Sequence, residues 1–295
     1  MLTDEQRASW ERDGYLAIRG YFSHAEVERV TALVEAIYRD PPGYLVVDDT
    51  STGRRSRLAD LPPAGRSPRT FKLNDLYLEH AEVRGLALAE RVRPLLAGLL
   101  GEPGVLCNTL NFEKGSGQPE HIDSLFMTPR TPGRLVATWV ALEDAHPDAG
   151  QLFYYPGSHT LPLYAFADGT NHAASAEMPR WHEYIRRQLE LAGLPREQFA
   201  ARKGDLFIWH ANLVHGGSPI ADPTRTRKSL VSHYFGLSDC RALGVECVPA
   251  GDAYWVRRAH PPLPGELTAR QRVAGVLRRL GLYGLVKRLV GRRAA

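Results

Sequence analysis

His121-Ile122-Asp123 sets an imidazole and a carboxylate two residues apart. In an extended chain positions i and i+2 face the same side, so the two groups can converge on one ion; on a helix they would diverge by about 200°. The pair alone occurs often by chance and reads as a surface turn. It gains meaning from a second segment, Gly204-Asp205-Leu-Phe-Ile-Trp209-His210-Ala-Asn-Leu-Val-His215-Gly216-Gly217, followed by Arg227-Lys228-Ser229. One more histidine, His210 or His215, completes a 2-His-1-carboxylate set. That donor combination holds iron(II) on one face and leaves other coordination positions open for a chelating cosubstrate and dioxygen. In a continuous strand only one of these two histidines faces inward, because their spacing is odd. A hairpin turning through 219–223 would return Arg227 on the adjacent strand, where a planar guanidinium suits a bidentate clamp on a carboxylate.

Positioning such a set calls for strands, and from residue 105 onward the chain supplies them, separated by Gly/Pro turns. Candidate strands cover 105–113, 135–142, 151–155 and 205–209, with a closing pair near 211–216 and 226–235. This spacing predicts a sandwich or jelly roll rather than a parallel sheet. His233, near the end of the last strand, reads as a core or loop residue. Residues 160–200 interrupt the series, with a helical pattern at 181–192, and read as a lid-like insertion. Ahead of the strands, Thr3 with Gln6 and Ser23 with Glu26 form capping boxes that open two helices. A short strand is expected at 14–20, a third helix at about 79–100, and a long loop at 40–70 lying over the surface or a site mouth.

The 295 residues carry 43% hydrophobic and 24% charged side chains, an ordinary globular balance that excludes disordered, collagen-like and coiled-coil classes. Net charge is +4, yet residues 267–295 hold eight Arg/Lys and no Asp/Glu, leaving the remainder at −4. The basicity is thus a property of the tail, and the body is not expected to bind nucleic acid. Cys107, Cys240 and Cys247 are odd in number and show no C-x-x-C spacing, which predicts a reducing compartment and no structural zinc site. Without an apolar signal core or a run of 18 apolar residues, a cytoplasmic protein is expected.

In order and spacing, five segments within residues 8–240 resemble the phytanoyl-CoA dioxygenase family of iron(II)/2-oxoglutarate dioxygenases. They are His121-x-Asp123, Gly150-Gln-Leu-Phe-Tyr-Tyr-Pro156-Gly-Ser-His159, Gly204-Asp205, His215-Gly216, and Arg227-Lys-Ser229 with Ser232-His-Tyr-Phe235. The resemblance implies a mainly β fold with flanking helices around a double-stranded β-helix (jelly roll, cupin-like) core. It implies one dioxygenase domain over 1–265, with N-terminal helices in 1–104 and the core in 105–240, followed by a basic amphipathic tail at 266–295. Iron(II) would be bound by His121, Asp123 and His215, the last preferred over His210 by its His-Gly and downstream Arg spacing. The cosubstrate 2-oxoglutarate would chelate that iron, with its far carboxylate on Arg227 and the Ser229 hydroxyl. Asn111, and Thr138 or Trp139 on the next strand, match positions that touch the cosubstrate in relatives. Two departures stand out: His215 is followed by two glycines before Ser218, and the loop between Asn111 and His121 is short.

With Asp123 in place the carboxylate position is filled, so halogenation is disfavoured. The expected reaction is hydroxylation of an unactivated C–H of a small, polar natural-product or sugar- or lipid-linked substrate, consuming O2 and releasing succinate and CO2. No catalytic residue beyond the metal ligands is required. Desaturation, ring closure and epimerisation are alternative outcomes, and a catalytically silent jelly-roll binding protein is the alternative class. In the tail, Thr268 and Gln271 cap a helix whose Val273, Val276, Leu277 and Leu280 form one stripe among arginines. It suits docking on the body or on a second subunit, as a homo-oligomer contact, or a peripheral membrane contact.

Overall fold

The computed structural model describes residues 2–67 and 69–279. Both capping boxes form, each with its reciprocal pair of hydrogen bonds. They open α1 (Asp4–Asp13) and α2 (His24–Arg39), with β1 (Tyr15–Ile18) between them. Val27, Val30, Val34 and Ile37 recur on one face of α2 and are buried there.

The 40–70 region, expected to be loop, instead contains β2 (Val46–Asp49) and β3 (Arg55–Arg57), with β4 (Phe71–Asn74) after it. Its Pro, Gly and Arg content hid strands too short to show alternation. The expected helix at 79–100 is two helices, α3 (Ala81–Ala87) and α4 (Arg93–Leu100). Pro94 accounts for the break, since its ring is tolerated in a first turn but not in a helix interior.

Next come β5 (Gly104–Phe112), β6 (Leu135–Ala141), β7 (Leu152–Tyr154), α5 (Met178–Ala192), β8 (Glu197–Phe199), β9 (Leu206–His210), β10 (His215–Gly217) and β11 (Ser229–Gly236). After them follow α6 (Leu237–Ala242), the hairpin β12 (Glu246–Ala250) and β13 (Ala253–Arg257), and α7 (Ala269–Arg279). The large sheet runs β1-β9-β6-β11-β5-β4-β2-β3, with the β12–β13 hairpin attached to β5; a smaller sheet runs β10-β7-β8. Apart from the parallel contact of β13 with β5, all pairings are antiparallel. The two sheets face each other as a double-stranded β-helix. Trp139, Phe199, Phe207, Trp209 and Leu152 fill the space between them, while the helices cover the other face of the large sheet through residues such as Val30, Leu96, Ile208 and Leu230.

Residues 160–200, expected as a lid, buttress the ligand loop from behind. Trp181, Ile185 and Leu189 of α5 pack on Ile122, Leu125 and Val214, and Ala173 N donates to Leu125 O. In α7, Val273 and Val276 of the expected stripe are 59% and 47% exposed. Leu280 and the rest of the tail lie outside the described residues. Among the described residues no helix is long and apolar enough to cross a membrane.

Candidate active site

His121 and His215 exchange backbone hydrogen bonds of 3.0 Å in each direction, which ties the ligand loop to β10. Val214 N donates to the buried Ser158 Oγ at 2.9 Å, so the Pro156-Gly-Ser turn fixes the approach to His215. Gly216 is needed for contact: a Cβ there would lie 2.5 Å from the Phe153 ring and 2.6 Å from the Gln118 carbonyl. Gly204-Asp205 is likewise architectural, with the Asp205 carboxylate accepting from Gly20 N, Arg202 N and Arg19 to hold β1 beside β9.

One donor atom each from His121, Asp123 and His215 lie within 4.8 Å of one another, all three residues buried. Asp123 Oδ1 is 3.9 Å from His121 Nε2 and 3.7 Å from His215 Nε2. Each imidazole has its Nδ1 at 2.9 Å from a backbone carbonyl, Pro119 for His121 and Leu213 for His215. A carbonyl only accepts, so Nδ1 carries the proton and the Nε2 lone pair is left for a metal. Burial, reinforced by His215, pushes His121 down to about 3, so it is neutral at pH 7. Burial would raise the Asp123 carboxyl, but His215, His233 and His121 hold it well below the usual carboxylate range. The set therefore presents two ring nitrogens and one anionic oxygen.

The second oxygen of Asp123 is already engaged. Trp209 Nε1 donates to Oδ2 at 2.7 Å, and His233 Nε2 stands 3.3 Å from the same atom. This leaves Oδ1 turned toward the two imidazoles. Trp209→Phe is expected to weaken iron(II) binding by roughly 10–100-fold. Anaerobic iron titration measures this, and unchanged affinity would show that the indole does not orient the ligand.

Beside the donors lies a cavity of about 450 Å³ including its mouth, lined by Leu110, Trp139, Trp209 and Arg227 among others. Arg227 is buried, its Nη1 donates to Gly150 O at 2.9 Å, and its Nε has no partner. Burial alone brings its guanidinium down to about 10. Ser229 Oγ and Trp139 Nε1 are also buried without partners. Ser229 opens β11, two residues after Arg227, and shares a face of that strand with Val231 and His233 by alternation. A buried cation and the unsatisfied Trp139 indole on the wall of one cavity fit a carboxylate-bearing cosubstrate such as 2-oxoglutarate, and the donor set fits iron(II).

Asn111 and Thr138 are not part of this wall. Asn111 pairs with Leu230 and Thr138 with Ser232, on the helix-covered face of the large sheet. Thr138 Oγ1 sits 3.3 Å from the Tyr234 hydroxyl and Asn111 Nδ2 donates to Ser229 O. The period of two in a strand explains the error: a shift of one residue puts Leu110 and Trp139 on the cavity instead. Ser218 also faces elsewhere, accepting from Arg196 and Gln198.

His210 lies on the opposite face of β9 from Trp209, against Trp10 and His159. Burial, then His159, pushes it down to about 4. In the unfolded chain a histidine takes its proton near ~6.5, so between these values the unfolded state binds more protons and stability falls as pH falls. The penalty is absent above ~6.5 and complete below the folded value, about 3 kcal/mol at most. His210→Gln should flatten the decline in urea midpoint between pH 7.5 and 4.5; an unchanged slope would assign it elsewhere.

His233, expected in the core or a loop, instead lines the cavity and touches Asp123. The available signal was even spacing: 229, 231 and 233 share one face of β11.

Residues 10–228 match the profile of the phytanoyl-CoA dioxygenase (PhyH) family. The chain belongs to that family. As a member it is an iron(II)- and 2-oxoglutarate-dependent non-heme dioxygenase, and the His121, Asp123, His215 cluster fits the metal. The peroxisomal phytanoyl-CoA dioxygenase of Mus musculus is 25% identical over 261 residues, covering 83% of this chain and 71% of that one. Among solved structures, the α-ketoglutarate-dependent epimerase SnoN from nogalamycin biosynthesis superposes with a TM-score of 0.59 at 23% identity, covering 88% of this chain and 89% of that one. EctD from S. alaskensis, with 2-oxoglutarate and 5-hydroxyectoine, gives 0.60 at 17% identity over 88% and 86% of the two chains. These two likenesses show the shared fold.

Proposed function

We propose that this family member hydroxylates an unactivated C–H bond of a small, polar organic molecule, with succinate and CO2 as co-products. The observation that carries the reading is Arg227, a buried guanidinium with no carboxylate partner among the described residues, opening on the same cavity as three convergent metal donors. When bound, iron(II) and 2-oxoglutarate supply, with dioxygen, the oxidising power for breaking such a bond. The chain contributes geometry. His121 and His215 offer Nε2 because Pro119 and Leu213 hold Nδ1–H, and Asp123 offers Oδ1 because Trp209 holds Oδ2. Arg227 and Ser229 supply a cation and a hydroxyl for the far carboxylate of the cosubstrate. Trp139, Leu152 and Val231 line the cavity with apolar surface that limits access of water.

The test begins without oxygen: iron(II) protein given 2-oxoglutarate should develop a metal-to-ligand charge-transfer band in the visible, and its absence overturns the reading. With oxygen and a turned-over substrate, labelled dioxygen should leave one labelled atom in the product. Succinate formation with unlabelled product would instead support ring closure, desaturation or epimerisation.

A further inference from the structure

The metal-side cavity continues outward into a cleft of about 840 Å³ including its mouth. The two share Leu110, Gln118, His121, Asp123 and His233, so a molecule in the cleft lies against the donor set. One wall is built by β3 and β4, which bring Arg55 and Lys72 to it. Both cations reach the same carboxylate: Arg55 Nε and Nη2 donate to the two oxygens of Asp48 at 2.6 and 3.0 Å, and Lys72 Nζ is 3.2 Å from Oδ2. Asp48 is thus one anion between two cations, and it also accepts from Asn74. The one carboxylate among the residues lining the cleft, Asp123, belongs to the metal donors, and Asp75, which also acts on Arg55, is paired with Arg258, so the outer wall keeps an excess positive charge.

The facing wall is apolar. Phe126 and Met127 line it, and Phe126 is 48% exposed beside the His121 ring, at 5.9 Å between centroids. A large apolar ring left half bare at the mouth of a reaction site is surface for a ligand to cover.

We propose that the substrate is an amphiphilic anion whose oxyanion, a carboxylate or a phosphate, sits on Arg55 and Lys72 while its apolar carbon skeleton lies against Phe126 and Met127. The skeleton is then the part presented to the donors. This rests on the oxygenase reading and names the substrate class it would serve.

The probes are hydrocinnamate, phenethyl phosphate and the neutral hydrocinnamide, titrated into the anaerobic iron(II)/2-oxoglutarate protein and followed by the shift of its charge-transfer band. The same titrations by ligand-observed NMR on the metal-free protein read anion preference independently of the band. At least one anion should bind roughly tenfold or more tightly than the amide, and the better of the two tells carboxylate from phosphate. Arg55→Gln and Lys72→Gln should each erase most of that preference. Asp48→Asn, which removes the competing carboxylate, should tighten the anion. Equal binding of amide and anions, no binding of either anion beside an intact band, or unchanged preference in both cation variants overturns the proposal. If no band forms at all while NMR still shows the anion preference, the oxygenase reading fails and the anion site stands.

Discussion

Asp123→Ala is expected to abolish the charge-transfer band with iron(II) and 2-oxoglutarate and to reduce succinate formation to background. The substitution removes the anionic donor, leaving two imidazoles, and opens the site from the inside. Trp209 Nε1 donates to Asp123 Oδ2 and would lose its acceptor in a buried space. A buried donor left unpaired costs about 1–3 kcal/mol. The metal-free variant should therefore also melt lower, by about 2–4 °C per kcal/mol for a chain of this size. Asp123→Asn separates the two effects. It keeps the volume and one accepting oxygen for Trp209 but carries no charge, so metal affinity should collapse while the melting temperature stays near that of the parent. Iron affinity and band intensity retained in both variants would show that the carboxylate is not a ligand, and His233 would be the next donor to test.

How much of this was legible in the sequence depended on what each residue's role requires. The three metal donors were readable because His-x-Asp needs only local extension to converge, and because the His-Gly and downstream Arg spacing of the resemblance selected His215. The odd spacing of His210 and His215 decided nothing, since the chain turns between them and the two lie on strands of different sheets. The structure places His210 against Trp10 and His159, on the far side of β9 from Trp209. β5, β6, β9 and β11 were readable from their length and apolar content, whereas β8, three residues within the stretch read as an insertion, was missed. What failed was register. Asn111 and Thr138 each lie one position away from the residue that meets the cavity, and in a strand one position is the other face. The β2–β3 hairpin was hidden for a different reason: each strand has four residues or fewer, and Arg55 and Arg57 read as loop charges until pairing with β4 places Arg55 on the cleft. The parts played by Trp209 and His233 were not legible because their contacts to Asp123 cross from β9 and β11 to a loop far away in the chain.

Arg227→Leu is expected to move two measurements in opposite directions: the metal-free protein becomes more stable and 2-oxoglutarate binding is largely lost. The reason lies in an unbalanced charge. Arg227 is buried, its guanidinium donates to a neutral carbonyl, Gly150 O, and no carboxylate pairs with it among the described residues. Burial lowers its pKa to about 10, and its neighbours are the neutral Gly150 carbonyl and the Trp139 ring, 5.6 Å away, with no anion to balance it among the described residues. Taking such a charge out of water carries a desolvation cost of several kcal/mol, and replacing buried ionic groups by apolar ones of similar size has stabilised other proteins by about 1–4 kcal/mol. Trp139 and Leu152 stand on the same cavity wall, so an apolar side chain in place of the guanidinium meets apolar neighbours and is accommodated. The fold thus tolerates the arginine for the sake of the ligand that neutralises it. Two charge-assisted hydrogen bonds to the far carboxylate contribute about 3–6 kcal/mol, so their loss should weaken 2-oxoglutarate by roughly 100-fold or more. Iron(II) affinity, set by His121, Asp123 and His215, should change little. Differential scanning fluorimetry with and without 2-oxoglutarate checks both arms: the parent should gain stability from the cosubstrate, and the variant should start higher and gain nothing. A variant that melts lower and still responds to 2-oxoglutarate would mean that Arg227 is a structural cation and that the cosubstrate's far carboxylate is held by another group.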